Sequence, residues 1–180
     1  QSYNNDLWDR TGAAVGRSDD PVLTENGLAQ AAALAKAITG ILEENSGLNG
    51  NKSSRNGPLP RFFTSLMIRA ISTGLNAAPA AGGKLEAWES IHEGGGIFVE
   101  DPETGERKGQ PGKPRKYFEQ NFPQLVLPRD MAEGGWWNRP HETVSECEVR
   151  ARKVVDDLWR CHEEGEGLVR LVLADPRGRP

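Results

Sequence analysis

A short strand that runs into a helix presents an arginine suited to binding an anion. The stretch Arg61 to Thr73, RFFTSLMIRAIST, opens on an apolar pair and continues with apolar residues at helical spacing. Ser65 is expected to cap this helix. Arg69 then falls in the first turns, where free backbone N–H groups and the helix dipole favour an anion. An arginine fork placed there suits phosphate, although an isolated arginine usually only faces water.

The second chemical candidate is the carboxyl group of Glu93, which precedes three glycines in the sequence HEGGG. Glycines let the backbone come close to a ligand, and a carboxyl group beside them can act as a general acid. Glu89 is the competing candidate, but glycines do not follow it. A metal site at His92 and Glu93 is disfavoured, because a transition metal usually needs three or four ligands and no other His or Cys lies at ligand spacing.

The first 27 residues form a polar segment whose asparagines are a weaker candidate. They are rich in Asn, Asp, Gly and Ser and show no sustained period, which predicts a long loop. Loops of that length in a compact domain tend to be functional or disordered. Asn4 and Asn5, taken alone, are typical turn formers rather than ligands.

Several segments together resemble the histidine phosphatase superfamily, which includes the cofactor-dependent phosphoglycerate mutases and many small phosphatases. FTSLMIRAISTGL resembles the family segment S-P-L-x-R-A-x-x-T-A, with Leu66 and Met67 in place of Pro-Leu. The stretch from Asp20 to Ala31 matches D-x-x-L-T-x-x-G-x-x-Q-A. QSYNN resembles the end of R-H-G-E/Q-S-x-x-N, so the resemblance implies that Arg-His-Gly directly precedes Gln1. A G-W-W sequence followed by E-x(7)-R-A is similar to the phosphoglycerate mutase-like branch.

The resemblance assigns roles to four residues of this chain. Arg69 and Asn5 would contact the phosphoryl group, and Ser2 would add a further contact from the opening segment. Glu93, with Gly96, matches the E-x-x-G context of the family's proton donor to the leaving group. These roles predict that four distant parts of the chain meet at one phosphate-sized hollow.

The reaction implied by the resemblance is phosphoryl transfer through a phosphohistidine, ending in hydrolysis in a phosphatase or in transfer to a second hydroxyl in a mutase. It needs no cofactor, metal or nucleotide, and its substrate would be a small phosphorylated molecule. The family's second histidine, in V-S-H-G, has no counterpart in the text from Leu173 to Gly178. Two hypotheses follow: an active enzyme truncated before Gln1, or a non-catalytic protein that binds phosphorylated ligands through Arg69.

The elements that must position these residues follow an α/β pattern. We expect an amphipathic helix from an N-cap at Thr24 to near Glu44, a strand in Lys84–Trp88, a helix from His141 to about Glu164, and a final buried strand in Leu168–Leu173. The resemblance implies a three-layer α/β/α fold like that of phosphoglycerate mutase, with a mostly parallel sheet that lacks its first central strand.

The remaining segments are expected to connect or to pack. Residues 45–60 read as a surface loop and 77–83 as a small-residue turn. Residues 99–128 are expected to form a lid or insertion over the active-site mouth. Its basic residues could meet a second anionic group or simply stay solvated: Arg107, Lys108, Lys113, Arg115 and Lys116. Trp136 and Trp137 are expected to be packing anchors.

Helical spacing also predicts which faces of the two long helices are buried. The first predicted stripe is Leu28, Ala31, Ala35, Ile38 and Leu42, and the second is Val144, Cys147, Ala151, Val154, Val155 and Leu158. Arg150 is expected to be a structural ion-pair partner, and His141 and His162 are expected to lie on the surface.

Length and composition limit the class of protein. With 180 residues and 36% hydrophobic content, residues 1–180 fit a single domain. A net charge of −4 gives no reason to expect nucleic acid or an anionic membrane as a partner, and no apolar run reaches the roughly 20 residues needed to cross a bilayer. Cys147 and Cys161 lie about 21 Å apart along one predicted helix, too far for a disulfide. The sequence therefore predicts a reducing, cytoplasmic setting.

Overall fold

The computed structural model describes residues 1–12, 15–48, 61–163 and 169–172. In chain order, its helices and strands are α1 (Tyr3–Thr11), α2 (Glu25–Leu48), β1 (Arg61–Thr64), α3 (Ile68–Ala80), β2 (Leu85–Ala87), β3 (Phe98–Glu100), β4 (Arg107–Gly109), α4 (Arg115–Asn121), α5 (Val144–Glu163) and β5 (Val169–Val172), with a 3-10 helix at Glu89–Ile91. Helices are thus combined with two small sheets, which confirms the predicted α/β class. In the ranges given above, no helix is long and apolar enough to span a bilayer.

β1 is the central strand of a parallel sheet ordered β2-β1-β5. Phe63 lies in register with Glu86 on one side and Leu171 on the other. Phe62, Phe63 and Thr64 are buried, as expected for a strand that is paired along both edges and covered by helices. β2 and β5 lie within the two segments in which strands were predicted, so both strand predictions are confirmed.

α3 packs closely against this sheet, and α2 packs along α3. A Cβ on Gly74 would lie 2.7 Å from a methyl carbon of Leu85, so a side chain there would push α3 away from β2. Ala31 of α2 and Ala77 of α3 are buried, and such small residues let two helices approach each other. The main core includes Phe62, Leu66, Ile71, Leu85, Ile97, Phe118, Trp136 and Trp137. The two tryptophans are therefore packing anchors, as predicted.

β3 and β4 form a separate antiparallel hairpin. Oδ1 of Asp101 closes its turn by accepting the backbone N–H groups of Glu103 and Thr104 at 2.9 and 2.8 Å. Arg107 donates to the facing Glu100 at 2.7 Å across the two strands. Most of this hairpin and all of α4 lie in the segment 99–128, for which the sequence predicts a lid or insertion.

The prediction of a long opening loop is wrong, because α1 occupies its first part. Oγ of Ser2 caps this helix by accepting the N–H of Asn5 at 3.4 Å, and Gly12 ends it in the left-handed conformation with φ 63°. Arg10 donates to Asp6 one turn earlier at 2.8 Å. Asn4 is the one residue of α1 that is buried. Tyr3, Leu7 and Trp8 are the apolar residues of α1, too few to give a sustained helical period, which explains the error.

Two predicted boundaries are also wrong. α2 continues to Leu48 rather than ending near Glu44, so the predicted connector begins as helix, and its residues 49–60 lie outside the described ones. α3 continues to Ala80, so residues 77–80 of the predicted turn are helical and only residues 81–83 lie beyond the helix. The N-cap prediction holds, since Oγ1 of Thr24 accepts the N–H of Gly27 at 3.1 Å.

The predicted buried faces of the long helices are only partly right. On α5, Val154 is buried and Leu158 packs against the same small cluster, but Val144 is 78% exposed and Val155 49% exposed. α5 contacts the 3-10 helix and β5, and these elements leave Val144 and Val155 uncovered. On α2, Leu28 is also exposed. The predicted stripe residue Ala151 is exposed as well, whereas Cys147 is half-buried.

Candidate functional site

One cavity of about 410 Å³ brings together all four residues to which the resemblance assigns a role. Ser2 and Asn5 come from the start of α1, Arg69 from the start of α3, and Glu93 from the loop after the 3-10 helix. The β3–β4 hairpin borders the same cavity. The chemical roles of these residues stay predictions, but the structure places their side chains around one space.

Arg69 is the second residue of α3, directly after the turn that follows β1. Its guanidinium donates to the Glu93 carboxylate and to Sδ of Met67, the latter at 3.1 Å. The Arg69 side chain is only 11% exposed. A guanidinium has five N–H donors, so these contacts leave Arg69 able to bind a further oxyanion.

Asp20, rather than Ser65, caps the N-terminus of α3. Its Oδ1 accepts the N–H of Ile68 at 3.0 Å across 48 residues of sequence, whereas no side chain caps the helix locally. Asp20 is 5% exposed, and burial raises the pKa of its carboxyl to about 6 against the opposing effects of the Ile68 N–H and of Arg69. Within the described residues its Oδ2 has no hydrogen-bond partner. Asp20 therefore fixes the helix turn that carries Arg69.

The prediction that Ser65 caps α3 is therefore wrong, and the sequence around Ile68 contains no sign of the role of Asp20. Ser65 is buried between β1 and α3, but helix α3 begins only after Met67. Asp20 stands in the D-x-x-L-T signature, yet local patterns cannot reveal a hydrogen bond to so distant a helix. The error concerns the cap alone, since the predicted strand, turn and helix are all present.

Glu93 is held by its backbone in a tight turn. Nδ1 of His92 lies 2.8 Å from the Glu93 carbonyl oxygen, and the N–H of Gly96 donates to that oxygen at 3.2 Å. Gly96 has φ 73°, and a Cβ there would lie 2.1 Å from the ring of Trp137. Gly95 and Gly96 therefore serve a close turn against aromatic rings, with the Glu93 side chain left partly exposed at the cavity.

His92 is a buried positioning residue rather than a cavity residue. Its ring meets Trp137 edge-on at 4.7 Å, and its Nε2 lies 3.3 Å from Nη2 of Arg139. Burial lowers the pKa of His92 to about 4. The neutral ring, protonated on Nδ1, fits both contacts, because it donates to the Glu93 carbonyl and accepts from Arg139.

A bidentate ion pair behind Glu93 confirms the structural role predicted for Arg150. Arg150 donates to both carboxylate oxygens of Glu142 at 2.7 Å, and to the carbonyl oxygens of Ser90 and His92 at 2.8 and 3.0 Å. Glu142 accepts the N–H of Gly95 at 3.4 Å. Burial of Glu142 acts against its charged form, but the hydrogen bonds and the charge of Arg150, the charge of His92 and the Gly95 N–H together outweigh burial and lower the pKa of Glu142. This pair clamps both ends of the segment that carries Glu93.

The two asparagines of α1 differ in their availability. Asn4 uses its whole amide on Ser18, donating to the carbonyl at 2.8 Å and accepting the N–H at 2.9 Å. The Asn5 side chain lines the cavity and has no hydrogen-bond partner within the described ranges. Ser2 accepts a hydrogen bond at Oγ, so its hydroxyl proton remains available to a ligand. The geometry thus favours Asn5 over Asn4 as a ligand.

The structure places Glu89, the competing acid, and most basic residues of segment 99–128 away from the cavity. Glu89 does not border the cavity; burial, and then the nearby charge of Asp130, raise the pKa of its carboxyl. Of the five basic residues expected to reach the mouth, Arg107 alone borders it. Lys113 lies 5.6 Å from the ring of Tyr117, and Arg115 donates to backbone carbonyl oxygens. Sequence analysis missed a further arginine at the cavity, Arg17.

None of the histidine side chains that the structure describes lines the cavity, so none of them is placed there as a nucleophile. His141 precedes α5 and is half-buried, with its ring edge-on to Phe98 at 4.6 Å, so the prediction of a surface helix residue is wrong. The side chain of His162 and residues 173–180 lie outside the part of the chain that the structure describes. Within that part, no group of three or more His, Cys, Asp or Glu side chains could hold a metal ion.

Comparison with family models and with curated proteins finds no match for this chain. The functional argument therefore depends on the residues of the cavity and on their geometry.

Proposed function

We propose that the cavity binds the phosphoryl group of a phosphomonoester and that the chain belongs to the histidine phosphatase superfamily, in its phosphoglycerate mutase-like branch. One observation carries the proposal: Arg69 at a helix N-terminus shares a cavity with Glu93, Ser2 and Asn5, which come from separate segments. Guanidinium, hydroxyl and amide donors around a helix start form a chemically suitable phosphate site.

The proposal includes the three-layer fold that the resemblance implies. The parallel order β2-β1-β5 and the packing of α3 on this sheet are compatible with such a fold. Arg69 follows the central strand, and ligands of open parallel sheets commonly bind beyond the carboxyl ends of the strands. We also propose a cytoplasmic location, which the free thiols of Cys147 and Cys161 support.

Binding of a phosphoryl group would change the partner of Arg69. The guanidinium that now contacts Glu93 would instead bind phosphoryl oxygens, which are equally good acceptors and carry more charge. In its protonated form Glu93 can donate a proton to the departing alcohol oxygen, which is the role implied by the resemblance.

Turnover requires a nucleophile, and here two candidate functions separate. In the first, the complete protein transfers the phosphoryl group through a phosphohistidine, as a phosphatase or a mutase. In the second, the protein binds a phosphorylated ligand without turnover. The second candidate has one observation in its favour, since none of the described histidines lines the cavity.

The first test of the proposal is a titration with phenylphosphonate followed by calorimetry, comparing the wild type with Arg69→Gln. Loss of one charged hydrogen-bonding partner should weaken binding about tenfold or more. Arg152→Gln is the matched control, because Arg152 is exposed on α5 and away from the cavity. Equal affinity in all three proteins would contradict the proposed phosphate site at Arg69.

The two candidates are then separated by assaying the complete protein with an alkyl phosphate, whose departing alkoxide needs a proton from a general acid. Hydrolysis that falls at least a hundredfold in Glu93→Gln would support catalysis with Glu93 as the acid. Binding without hydrolysis would support the non-catalytic candidate.

A further inference from the structure

Asp20 is a buried acidic residue at the helix start that also carries Arg69. Its Oδ1 accepts the N–H of Ile68, the first residue of α3, and Arg69 is the second. Its Oδ2 is buried and has no hydrogen-bond partner within the described residues. The Asp20 side chain does not line the cavity, so a ligand at Arg69 would not touch it. Any effect of Asp20 on that ligand must therefore act through its charge or through the helix start.

The positive groups at this helix start attract the Asp20 carboxylate and a bound anion alike. Burial raises the pKa of Asp20 to about 6, against the Ile68 N–H and the Arg69 guanidinium, which favour its charged form. Lys113, from the segment before α4, also favours the charged form, whereas the neighbouring Asp19 opposes it. An oxyanion at Arg69 would interact with the same guanidinium and the same helix dipole. Two negative charges would then share one set of positive groups.

Both charge states of Asp20 are compatible with the cap of α3. A neutral carboxyl can carry its proton on Oδ2 and still accept the Ile68 N–H at Oδ1. Loss or gain of that proton thus changes the charge beside Arg69 while the first turn of α3 keeps its hydrogen bond.

We propose that proton binding at Asp20 and anion binding at Arg69 are linked, so that the cavity binds a phosphoryl group more tightly when Asp20 is neutral. The proposal rests on the phosphoryl site at Arg69. A bound anion offsets the Arg69 charge that favours ionised Asp20, so anion binding draws a proton onto Asp20. By thermodynamic linkage, loss of that proton weakens anion binding by the same factor. The affinity of the site should therefore fall as the pH rises through about 6.

The experiment measures the affinity of phenylphosphonate by calorimetry at intervals from pH 5 to pH 8, in the wild type and in Asp20→Asn. Asparagine keeps the shape of the side chain and an oxygen for the Ile68 N–H, but it does not ionise. Titration of the probe itself cancels in the ratio of the two dissociation constants. We expect the wild type to bind nearly as tightly as Asp20→Asn at pH 5 and about fivefold more weakly at pH 8.

Asp19→Asn is the matched control, because it removes the same charge one residue earlier and Asp19 itself lines the cavity. This variant should keep the pH dependence of the wild type, since Asp20 is still present. A second probe, benzenesulfonate, has the same charge throughout this pH range. Its affinity for the wild type alone should fall by a similar factor from pH 5 to pH 8, which decides the question if Asp20→Asn does not fold.

The outcomes separate this inference from the function on which it rests. Binding of phenylphosphonate and its loss in Arg69→Gln test the phosphoryl site alone. A ratio between the wild type and Asp20→Asn that stays constant with pH, or that changes in the opposite direction, overturns the linkage and leaves the phosphoryl site intact. If phenylphosphonate binds the wild type at no pH, both proposals fail.

Discussion

The floor of the cavity, formed by Arg69, Glu93 and the segments behind them, differs from its rim, formed by residues 15–18 and the β3–β4 hairpin. The floor depends on buried charges that meet across long stretches of sequence, such as Asp20 at α3 and the Arg150–Glu142 pair. The hairpin of the rim depends on short-range contacts that are largely exposed. Floor geometry is therefore coupled to global stability, whereas the hairpin can change with little effect on the fold.

The largest loss of stability is expected from a substitution behind the floor, at Arg150. Arg150→Ala removes one partner of a buried ion pair and leaves Glu142 as an uncompensated charge, which should lower the free energy of unfolding by about 3 to 5 kcal/mol. Urea denaturation followed by circular dichroism measures the loss.

The matched control for this prediction lies on the same helix. Arg160 forms an exposed pair with Asp157, and Arg160→Ala should cost less than about 1 kcal/mol. Similar losses in the two variants would mean that burial does not distinguish floor from surface.

The second prediction concerns the pH dependence of the floor. Because the folded-state pKa of Asp20 is about 6, above its ordinary 3.8, folding takes up a proton between these values. The stability contributed by the protonated carboxyl is complete below pH 3.8 and is lost as pH rises through 6. The stability of the wild type relative to Asp20→Asn should therefore fall by about 2 kcal/mol from pH 4 to pH 7.

Denaturation of both proteins across this pH range measures the difference, in which other titrating groups cancel. Asn at position 20 retains an oxygen that can accept the Ile68 N–H, so the cap itself is preserved. Asp19→Asn makes the same change of charge one residue earlier. An equal fall relative to Asp19→Asn, or a flat difference for Asp20→Asn, would contradict the assignment to burial of Asp20.

The smallest effect is expected at the rim. Arg107→Gln breaks the cross-strand pair with Glu100, but the Arg107 side chain is 52% exposed, so the free energy of unfolding should fall by less than about 1 kcal/mol. The same denaturation measurement applies. A loss comparable to that of Arg150→Ala would show that the hairpin belongs to the cooperative core.

Local sequence was sufficient for the elements around Arg69 and Glu93. The apolar run of β1 and the helical spacing of α3 are short-range signals, and each predicts an element that the structure contains. The structural ion-pair role of Arg150 was also predicted, but its partner Glu142 was not.

The wrong predictions concern features that depend on residues far away in sequence, or on which side chains of a helix the neighbouring elements bury. Asp20 caps α3 from 48 residues away, and nothing near Ile68 encodes that contact. α1 is stabilised by its caps and by Asn4 rather than by an apolar face, so hydrophobic periodicity could not find it. On α5 the sequence identified apolar positions, but only packing decides that Val154 is buried and Val144 is not.

The sparse burial of α1 has a thermodynamic consequence for whatever occupies the cavity. A helix with one buried residue opens at a lower free energy than the central sheet does, and Ser2 and Asn5 lie on its first turn. A molecule that binds both residues only when α1 is formed would stabilise that helix by mass action. Ligand binding in the cavity and folding of α1 are thus thermodynamically linked, so each favours the other.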